Sequence, residues 1–130
     1  MKKFLKFSFV LVLAMALFTG CRTSPIRNYD SQVSTTSSVA LDKVAKEIIA
    51  AGAGLGWQMK KVKDGEIVGT LFLRKHMAQV TIPYTTKSYQ IIYKTSTELN
   101  YNAENKSIHS NYNGWVQNLN NAIQVRLGML

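Results

Sequence analysis

Residues 77–96 read MAQVTIPYTTKSYQIIYKTS, which is two alternating apolar and polar runs separated by a short polar segment. Alternation with a period of two is typical of β-strands that have one buried and one exposed face. The pattern therefore predicts a hairpin that turns at residues 85–88. The face expected to be buried carries Ala78, Val80, Ile82, Tyr84, Tyr89, Ile91 and Tyr93.

A second hairpin is predicted over residues 55–74, directly before the first. Its turn is Asp64-Gly65, a residue pair strongly favoured in two-residue β-turns. Such a turn places Trp57 opposite Phe72, an aromatic cross-strand pair that would stabilise the hairpin. Apolar side chains occur on both of its faces, so the pattern leaves open which face is buried.

An amphipathic helix is predicted before the strands, over residues 38–51. Apolar residues recur there at helical spacing, and charged residues fill the opposite side. Ser37 or Ser38 is a suitable N-terminal cap, and Gly52 is a suitable stop.

A second helix is predicted over residues 111–127, with Ser110 as its cap. Its apolar stripe consists of Tyr112, Trp115, Val116, Leu119, Ile123 and Leu127, and its outer face carries the amides Asn118, Asn120, Asn121 and Gln124. Residues 97–109 are polar and predict either a long ordered loop or a weak extra hairpin. The element order α-β-β-β-β-α predicts an α+β fold, a four-stranded antiparallel sheet with two helices packed on one face.

The first 21 residues have the composition of a secretory signal. A basic head at residues 1–6 precedes an apolar run at 7–18, and two small residues lead to Cys21. The apolar run is about a dozen residues long, whereas a helix needs roughly 20 to span a bilayer. The run is therefore too short for a permanent transmembrane helix.

The end of this segment, Leu17-Phe18-Thr19-Gly20-Cys21, resembles the lipobox of bacterial lipoproteins. The small residues before the cysteine match the family pattern, and Phe18 departs from the aliphatic residue that the family prefers. The resemblance implies that the Cys21 thiol carries a diacylglycerol, that cleavage follows Gly20, and that the new amino terminus is acylated, typically with palmitate. A plain secreted protein with one free thiol is the alternative.

The resemblance also implies a location. Lipoproteins of enteric-type bacteria that stay in the inner membrane usually carry Asp after the cysteine, and this chain carries Arg22. In a Gram-negative host, the outer membrane, facing the periplasm, is therefore the expected site. Three parts follow: a signal peptide at 1–20, a lipidated N-terminus with a flexible tether at 21–37, and a single domain at 38–130. The tether prediction rests on the scarcity of apolar residues after Cys21.

The chain has a formal net charge of +9 and a single cysteine. Disulfides therefore cannot stabilise the fold, and one hydrophobic core must do so. The positive charge favours acidic partners such as an envelope protein or an anionic glycan or lipid, and a secretory signal makes nucleic acid an unsuitable one. Solubility alone is the alternative explanation of the charge.

Residues with catalytic chemistry are sparse. The sequence holds only His76 and His109 as histidines, far apart and without the spacing of zinc ligands. Glu98 and Glu104 are the only carboxylates that suggest a glycosidase pair, and a polar loop is an ordinary place for both. We therefore predict no catalytic residues, no metal and no cofactor.

Two groups of basic residues are candidates for binding. One group, Lys60, Lys61 and Lys63, precedes the Asp64-Gly65 turn. The other group, Arg74, Lys75 and His76, lies at the opposite end of the same hairpin. A solvated sheet edge protected by lysines is the alternative interpretation. Both groups could dock an anionic surface if the fold brought them together.

The segments Arg74-x-His76, Tyr89-x-Ile91-x-Tyr93 and Tyr112-Asn113-x-Trp115 are similar to those of small bacterial lipoproteins of unassigned function. This similarity implies no activity. The expected function is a membrane-anchored envelope lipoprotein with a non-catalytic binding or interaction domain. The alternatives are a structural or assembly subunit of an envelope complex and a small enzyme acting on cell-wall or lipid material.

Overall fold

The computed structural model describes residues 22–33 and 38–130. Seven strands and two helices follow one another in these residues. They are β1 (Thr23–Pro25), β2 (Tyr29–Gln32), α1 (Leu41–Gly54), β3 (Gln58–Lys63), β4 (Glu66–Leu73), β5 (His76–Pro83), β6 (Ser88–Thr97), β7 (Ser107–His109) and α2 (Ser110–Leu127). The predicted signal peptide, Cys21, Ser37 and the rest of residues 34–37 lie outside the described residues.

The α+β class is confirmed, and the expected single four-stranded sheet is wrong. The structure has a five-stranded sheet in the order β2-β6-β5-β4-β3 and a two-stranded sheet of β1 and β7. All strand pairs are antiparallel. The four predicted strands lie side by side as the two hairpins require, and the extra strands come from segments that looked like tether and loop.

The segment predicted to be a flexible tether contributes two of these extra strands. Tyr29 lies opposite Ile91 across the β2–β6 pair, and Thr23 lies opposite His109 across the β1–β7 pair. Ile26, Tyr29 and Val33 pack against the hydrophobic core. Sparse apolar residues therefore suffice here, because β2 completes an existing sheet edge and does not have to build a core of its own.

The β3–β4 hairpin turns where the sequence predicts, and its register differs. Lys63 faces Glu66 across the Asp64-Gly65 turn, and a β-bulge between Lys61 and Lys63 then shifts the pairing by one residue. The predicted pairing of Trp57 with Phe72 is wrong for this reason, since one extra residue moves every later side chain to the other face.

The bulge also decides which face of the hairpin is buried. Trp57 is 4% exposed and belongs to the core, whereas Phe72 is 60% exposed on the opposite face. A Cβ atom on Gly69 of β4 would approach Met59 Sδ to 3.0 Å, Val80 Cγ2 to 3.3 Å and Trp57 Cε3 to 3.4 Å. The missing side chain at Gly69 therefore makes room mainly for Met59, and the Trp57 ring lies in ordinary contact beside it.

One hydrophobic core lies between the sheet and both helices. The predicted inner face of the β5–β6 hairpin is confirmed at Ala78, Val80, Ile82, Tyr84, Tyr89 and Ile91, which are all buried, whereas Tyr93 is only half-buried. The α2 stripe is buried at Tyr112, Val116, Leu119, Ile123 and Leu127, and Val44, Ala45, Ile48 and Ala51 of α1 complete the cluster. Both helices thus cover the same face of the five-stranded sheet, as expected.

Helix α1 is displaced from its predicted bounds at both ends. Its N-terminal cap is Ala40, without a side-chain hydrogen bond, and Ser38 lies outside the helix. Gly52 lies within the last turn and is buried, so it is not the predicted stop. It is instead a point of close approach, because a Cβ atom on Gly52 would collide with the Met59 side chain of β3.

Replacing Gly52 by alanine is expected to destabilise the fold by about 1–3 kcal/mol, the usual cost of overpacking a core. Helix propensity alone would favour alanine by about 1 kcal/mol, so the two accounts predict opposite signs. Urea unfolding of G52A measures the difference. The matched control is Gly54→Ala, since nothing lies within 4 Å of a Cβ atom at that position. Stabilisation of G52A equal to that of G54A would refute the close approach.

Candidate functional site

The two predicted basic groups lie at opposite ends of the sheet. Lys63 precedes the β3–β4 turn, whereas Arg74 and Lys75 form the β4–β5 turn. The eight residues of β4 separate the two turns, a length of about 25 Å at roughly 3.3 Å per residue. The structure therefore does not bring the six residues into one site.

The end of the sheet with the β3–β4 turn, here called the distal end, has mixed charge. Lys61 Nζ lies 2.8 Å from Asp64 Oδ1 and 3.6 Å from Asp42 Oδ1. The hydrogen bond to Asp64 raises the pKa of Lys61, and the same bond lowers the pKa of Asp64. Both side chains are solvent-accessible, so these pairs contribute little to stability. Lys60 and Lys63 are exposed on the edge strand, as for lysines that protect a sheet edge.

The opposite end of the sheet, here called the proximal end, carries the β4–β5 turn and the end of β6. Thr97 lies opposite Met77 there. Arg74 and Lys75 are exposed, and the neighbouring Phe72 and Leu73 are 60% and 46% exposed. The proximal end therefore combines exposed cations with exposed apolar side chains.

Four hydrogen bonds link the beginning of the described chain to this same end. Ser110 donates from its backbone N and from Oγ to the Arg22 carbonyl oxygen, at 2.9 and 3.0 Å. The next residue back, His109, donates its backbone N–H to Leu99 O at 2.8 Å. The His76 ring nitrogen Nδ1 lies 2.8 Å from Glu98 O, and a carbonyl can only accept this bond. Arg22 is thus joined through short links to the β4–β5 turn.

The backbone at the proximal end is strained. Arg74 has φ 58°, Glu98 has φ 59° and Asn100 has φ 52°. An L residue in this region costs of order 1–3 kcal/mol, and two-residue turns usually place Gly, Asn or Asp where φ is positive. An arginine at such a position keeps a cation at the tip of the turn at some cost in stability.

The N-terminal segment is fastened to α2 by the amide side chains of the helix. Asn113 donates from Nδ2 to Ser24 Oγ and to the Pro25 carbonyl oxygen, and its Oδ1 accepts from Arg27 N. The segment 22–33 is here called the strap. It is also hydrogen-bonded to the residue before β7, since Ile26 N donates to Lys106 O. That Asn113 binds the strap was not predicted from the sequence, although the amide-rich composition of the helix was the available signal.

The prediction that Asn120 lies on an exposed helix face is wrong. Asn120 is 6% exposed, and its Oδ1 accepts a 2.6 Å hydrogen bond from the Tyr89 hydroxyl. Ser31 Oγ of the strap lies 3.5 Å from the same oxygen. Helical periodicity places Asn120 beside Leu119 at the edge of the apolar stripe, and the hydrogen bond from Tyr89 holds its side chain in the core.

The N-terminal cap of α2 is His109 and not the predicted Ser110, because His109 Nδ1 accepts a hydrogen bond from Asn111 N.

Replacing Asn120 by leucine is expected to destabilise the protein by about 1–3 kcal/mol, because the Tyr89 hydroxyl loses its buried partner. Replacing Tyr89 by phenylalanine as well removes that hydroxyl, so the double variant is expected to recover part of the loss. Urea unfolding of the two single variants and the double variant gives the coupling. Additive effects would contradict the buried pair.

An aromatic cluster fills the space between β6 and the start of α2. Tyr93 stacks on Tyr101 at 4.5 Å between ring centroids and meets the edge of Tyr112 at 5.6 Å. Tyr112 is fully buried, and its hydroxyl has no hydrogen-bond partner in the structure. Burial raises the pKa of Tyr112, and the nearby Tyr93 adds to the effect. The cluster is a packed core with one exposed ring, Tyr101, and it presents no cleft.

The helices leave an apolar groove on the outer surface. Its lining includes Ala50, Leu55, Ala122, Val125 and Met129, and its volume is about 530 Å³. Another groove, of about 490 Å³, lies between the strap and α2 at Pro25, Arg27, Asn113 and Gln117. Both are open surface grooves, and neither contains a histidine or a carboxylate.

No group of three or more His, Cys, Asp or Glu side chains in residues 22–33 and 38–130 is placed to hold a metal ion. Within the same described ranges, no helix is both long enough and apolar enough to cross a membrane. His76 and His109 are engaged in backbone hydrogen bonds near the proximal end. Neither histidine lies with a carboxylate in any of the grooves described above.

Comparison with known proteins gives no relative. No protein-family model, no curated protein and no solved structure matches the chain.

Proposed function

We propose that this chain is a bacterial envelope lipoprotein, held on the membrane by acyl chains on Cys21, whose small basic domain is a non-catalytic binding or interaction module. The observation that carries the proposal is the order of the first 21 residues: a basic head, a short apolar run, two small residues and the only cysteine. A lone cysteine behind a secretory signal needs an explanation, and lipidation supplies one.

The binding part of the proposal is supported by the arrangement of charge. Exposed cations and exposed apolar side chains share the proximal end, at Phe72, Leu73, Arg74 and Lys75. Acidic groups among the described residues include Asp42 and Asp64 at the distal end, where they engage Lys61. A surface of this kind, with exposed cations beside exposed apolar side chains, suits an anionic envelope component.

Intact-mass analysis of the protein extracted from membranes tests the anchor. We expect a polypeptide of residues 21–130 with added masses that correspond to a diacylglycerol and a fatty acyl chain, and fragments that place both on Cys21. An unmodified thiol in a chain cleaved elsewhere would contradict the proposal.

Cross-linking in native membranes tests the binding role. We expect the full-length lipoprotein to capture one component in fixed proportion, and we expect added salt to weaken the capture, because screening acts on exposed charges. Turnover of a cell-wall or lipid substrate by the purified protein, abolished by His76→Ala, would instead favour the enzymatic alternative.

A further inference from the structure

The strap places folded structure directly after the proposed anchor at Cys21. Arg22 is the residue directly after Cys21, and consecutive Cα atoms are about 3.8 Å apart. The Arg22 carbonyl oxygen already accepts two hydrogen bonds from Ser110, at 2.9 and 3.0 Å. Fixed structure therefore begins one residue after the acylated cysteine, and the expected long flexible tether is missing at this point.

This geometry fixes which part of the domain lies at the bilayer. The glycerol of an acylated cysteine lies at the level of the lipid headgroups, so the domain end that holds Arg22 must lie there as well. That end is the proximal end, because Ser110, Leu99 and His76 link Arg22 to the β4–β5 turn. The distal end then points away from the membrane.

We propose that the proximal end is a membrane-docking surface, formed by Arg22, Phe72, Leu73, Arg74 and Lys75, that rests on anionic lipid headgroups. Three exposed cations, Arg22, Arg74 and Lys75, would face the lipid phosphates, and Glu98 is an exposed carboxylate at the same end. Phe72 and Leu73 can enter the headgroup region, as amphipathic membrane surfaces do. The proposal rests on the proposed acylation of Cys21.

The strained turn fits this role. Arg74 adopts a strained positive φ of 58°, and its side chain forms no ion pair with another side chain in residues 22–33 and 38–130. At the membrane, the tip of the turn would place Arg74 and Lys75 together against the headgroups. Each basic residue near an anionic bilayer strengthens binding by about fivefold, so the pair would shift the balance toward the docked orientation by about 25-fold.

The test uses the acylated full-length protein in vesicles that contain phosphatidylglycerol and phosphatidylcholine. A spin label is attached to an introduced cysteine, either Thr97→Cys at the proximal end or Thr86→Cys at the distal end. The two sites are matched, since both are exposed threonines, one at the last residue of β6 and the other in the β5–β6 turn at the opposite end of the sheet. We expect the label at position 97 to be sheltered several-fold from a water-soluble relaxation agent, and the label at position 86 to remain accessible.

Charge substitutions separate docking from mere proximity. Arg74→Gln with Lys75→Gln should restore the accessibility at position 97, and the matched Lys60→Gln with Lys63→Gln at the distal end should leave it unchanged. Equal accessibility at positions 97 and 86 in protein that floats with the vesicles would overturn the docking surface while leaving the anchor intact. Protein that fails to float and lacks acyl mass would instead refute the proposed acylation.

Discussion

Replacing Cys21 by serine is expected to abolish acylation and to release the protein from the membrane. Each buried acyl methylene contributes about 0.8 kcal/mol, so two or three chains hold a protein on the bilayer almost irreversibly. Without them, only the few cations of the proximal end remain, and their attraction is screened by salt. Fractionation in high salt, with radiolabelled palmitate as the readout, measures both effects. We expect the wild type in the membrane fraction and the variant without label.

The control for this prediction removes the signal peptide as an alternative anchor. The C21S variant is also expressed behind a secretory signal with its own cleavage site, so that an uncleaved leader cannot hold it on the membrane, whereas the wild type keeps its native signal. Under these conditions C21S should appear in the soluble fraction. Palmitate label on C21S, or stable membrane association of an unlabelled wild type, would exclude the lipoprotein account.

Replacing Trp57 by alanine is expected to cost about 3–5 kcal/mol of unfolding free energy, the usual range for a buried aromatic residue. Trp57 is 4% exposed, and its ring lies beside Gly69 and is surrounded by the core. A domain of this size has a total stability of about 5–15 kcal/mol, so W57A could be largely unfolded at physiological temperature. Urea unfolding followed by circular dichroism measures the loss.

Phe72→Ala is the matched control for Trp57→Ala. The sequence pattern makes these two aromatic residues partners, whereas the bulge puts them on opposite faces, with Phe72 60% exposed. F72A should therefore change stability by no more than about 0.5 kcal/mol, as is usual for a surface substitution. Similar losses for both variants would contradict the shifted register.

Local patterns predicted the elements well where one physical signal dominates. The Asp64-Gly65 turn and the alternation at residues 77–96 lead directly to the observed hairpins. The bulge at Val62 could not be predicted, because nothing in the local pattern of residues 58–63 marks an extra residue in the strand. The role of Gly52 could not be predicted either, because a glycine that ends a helix and a glycine that makes room for a neighbouring side chain look the same in sequence.

The strap was missed because its stability comes from distant residues. Tyr29 and Ser31 meet β6 and α2 about sixty to ninety positions later in the chain, at Ile91, Tyr89 and Asn120. Nothing local in residues 22–33 encodes such contacts, and its polar composition imitates a linker. The same applies to the proximal end: its basic residues were recognised, and their position beside Arg22 depends on long-range pairing.

Amide hydrogen exchange of the strap, measured on the membrane-bound protein, tests most directly whether the anchor leads straight into folded structure. Ile26 N donates to Lys106 O at 2.9 Å and Val33 N to Lys87 O at 2.7 Å. We predict that these two amides, together with those of β2, exchange with protection close to that of β6. Exchange at the rate of an unstructured peptide would show that a flexible tether follows Cys21, and would contradict both the strap and the orientation inferred from it.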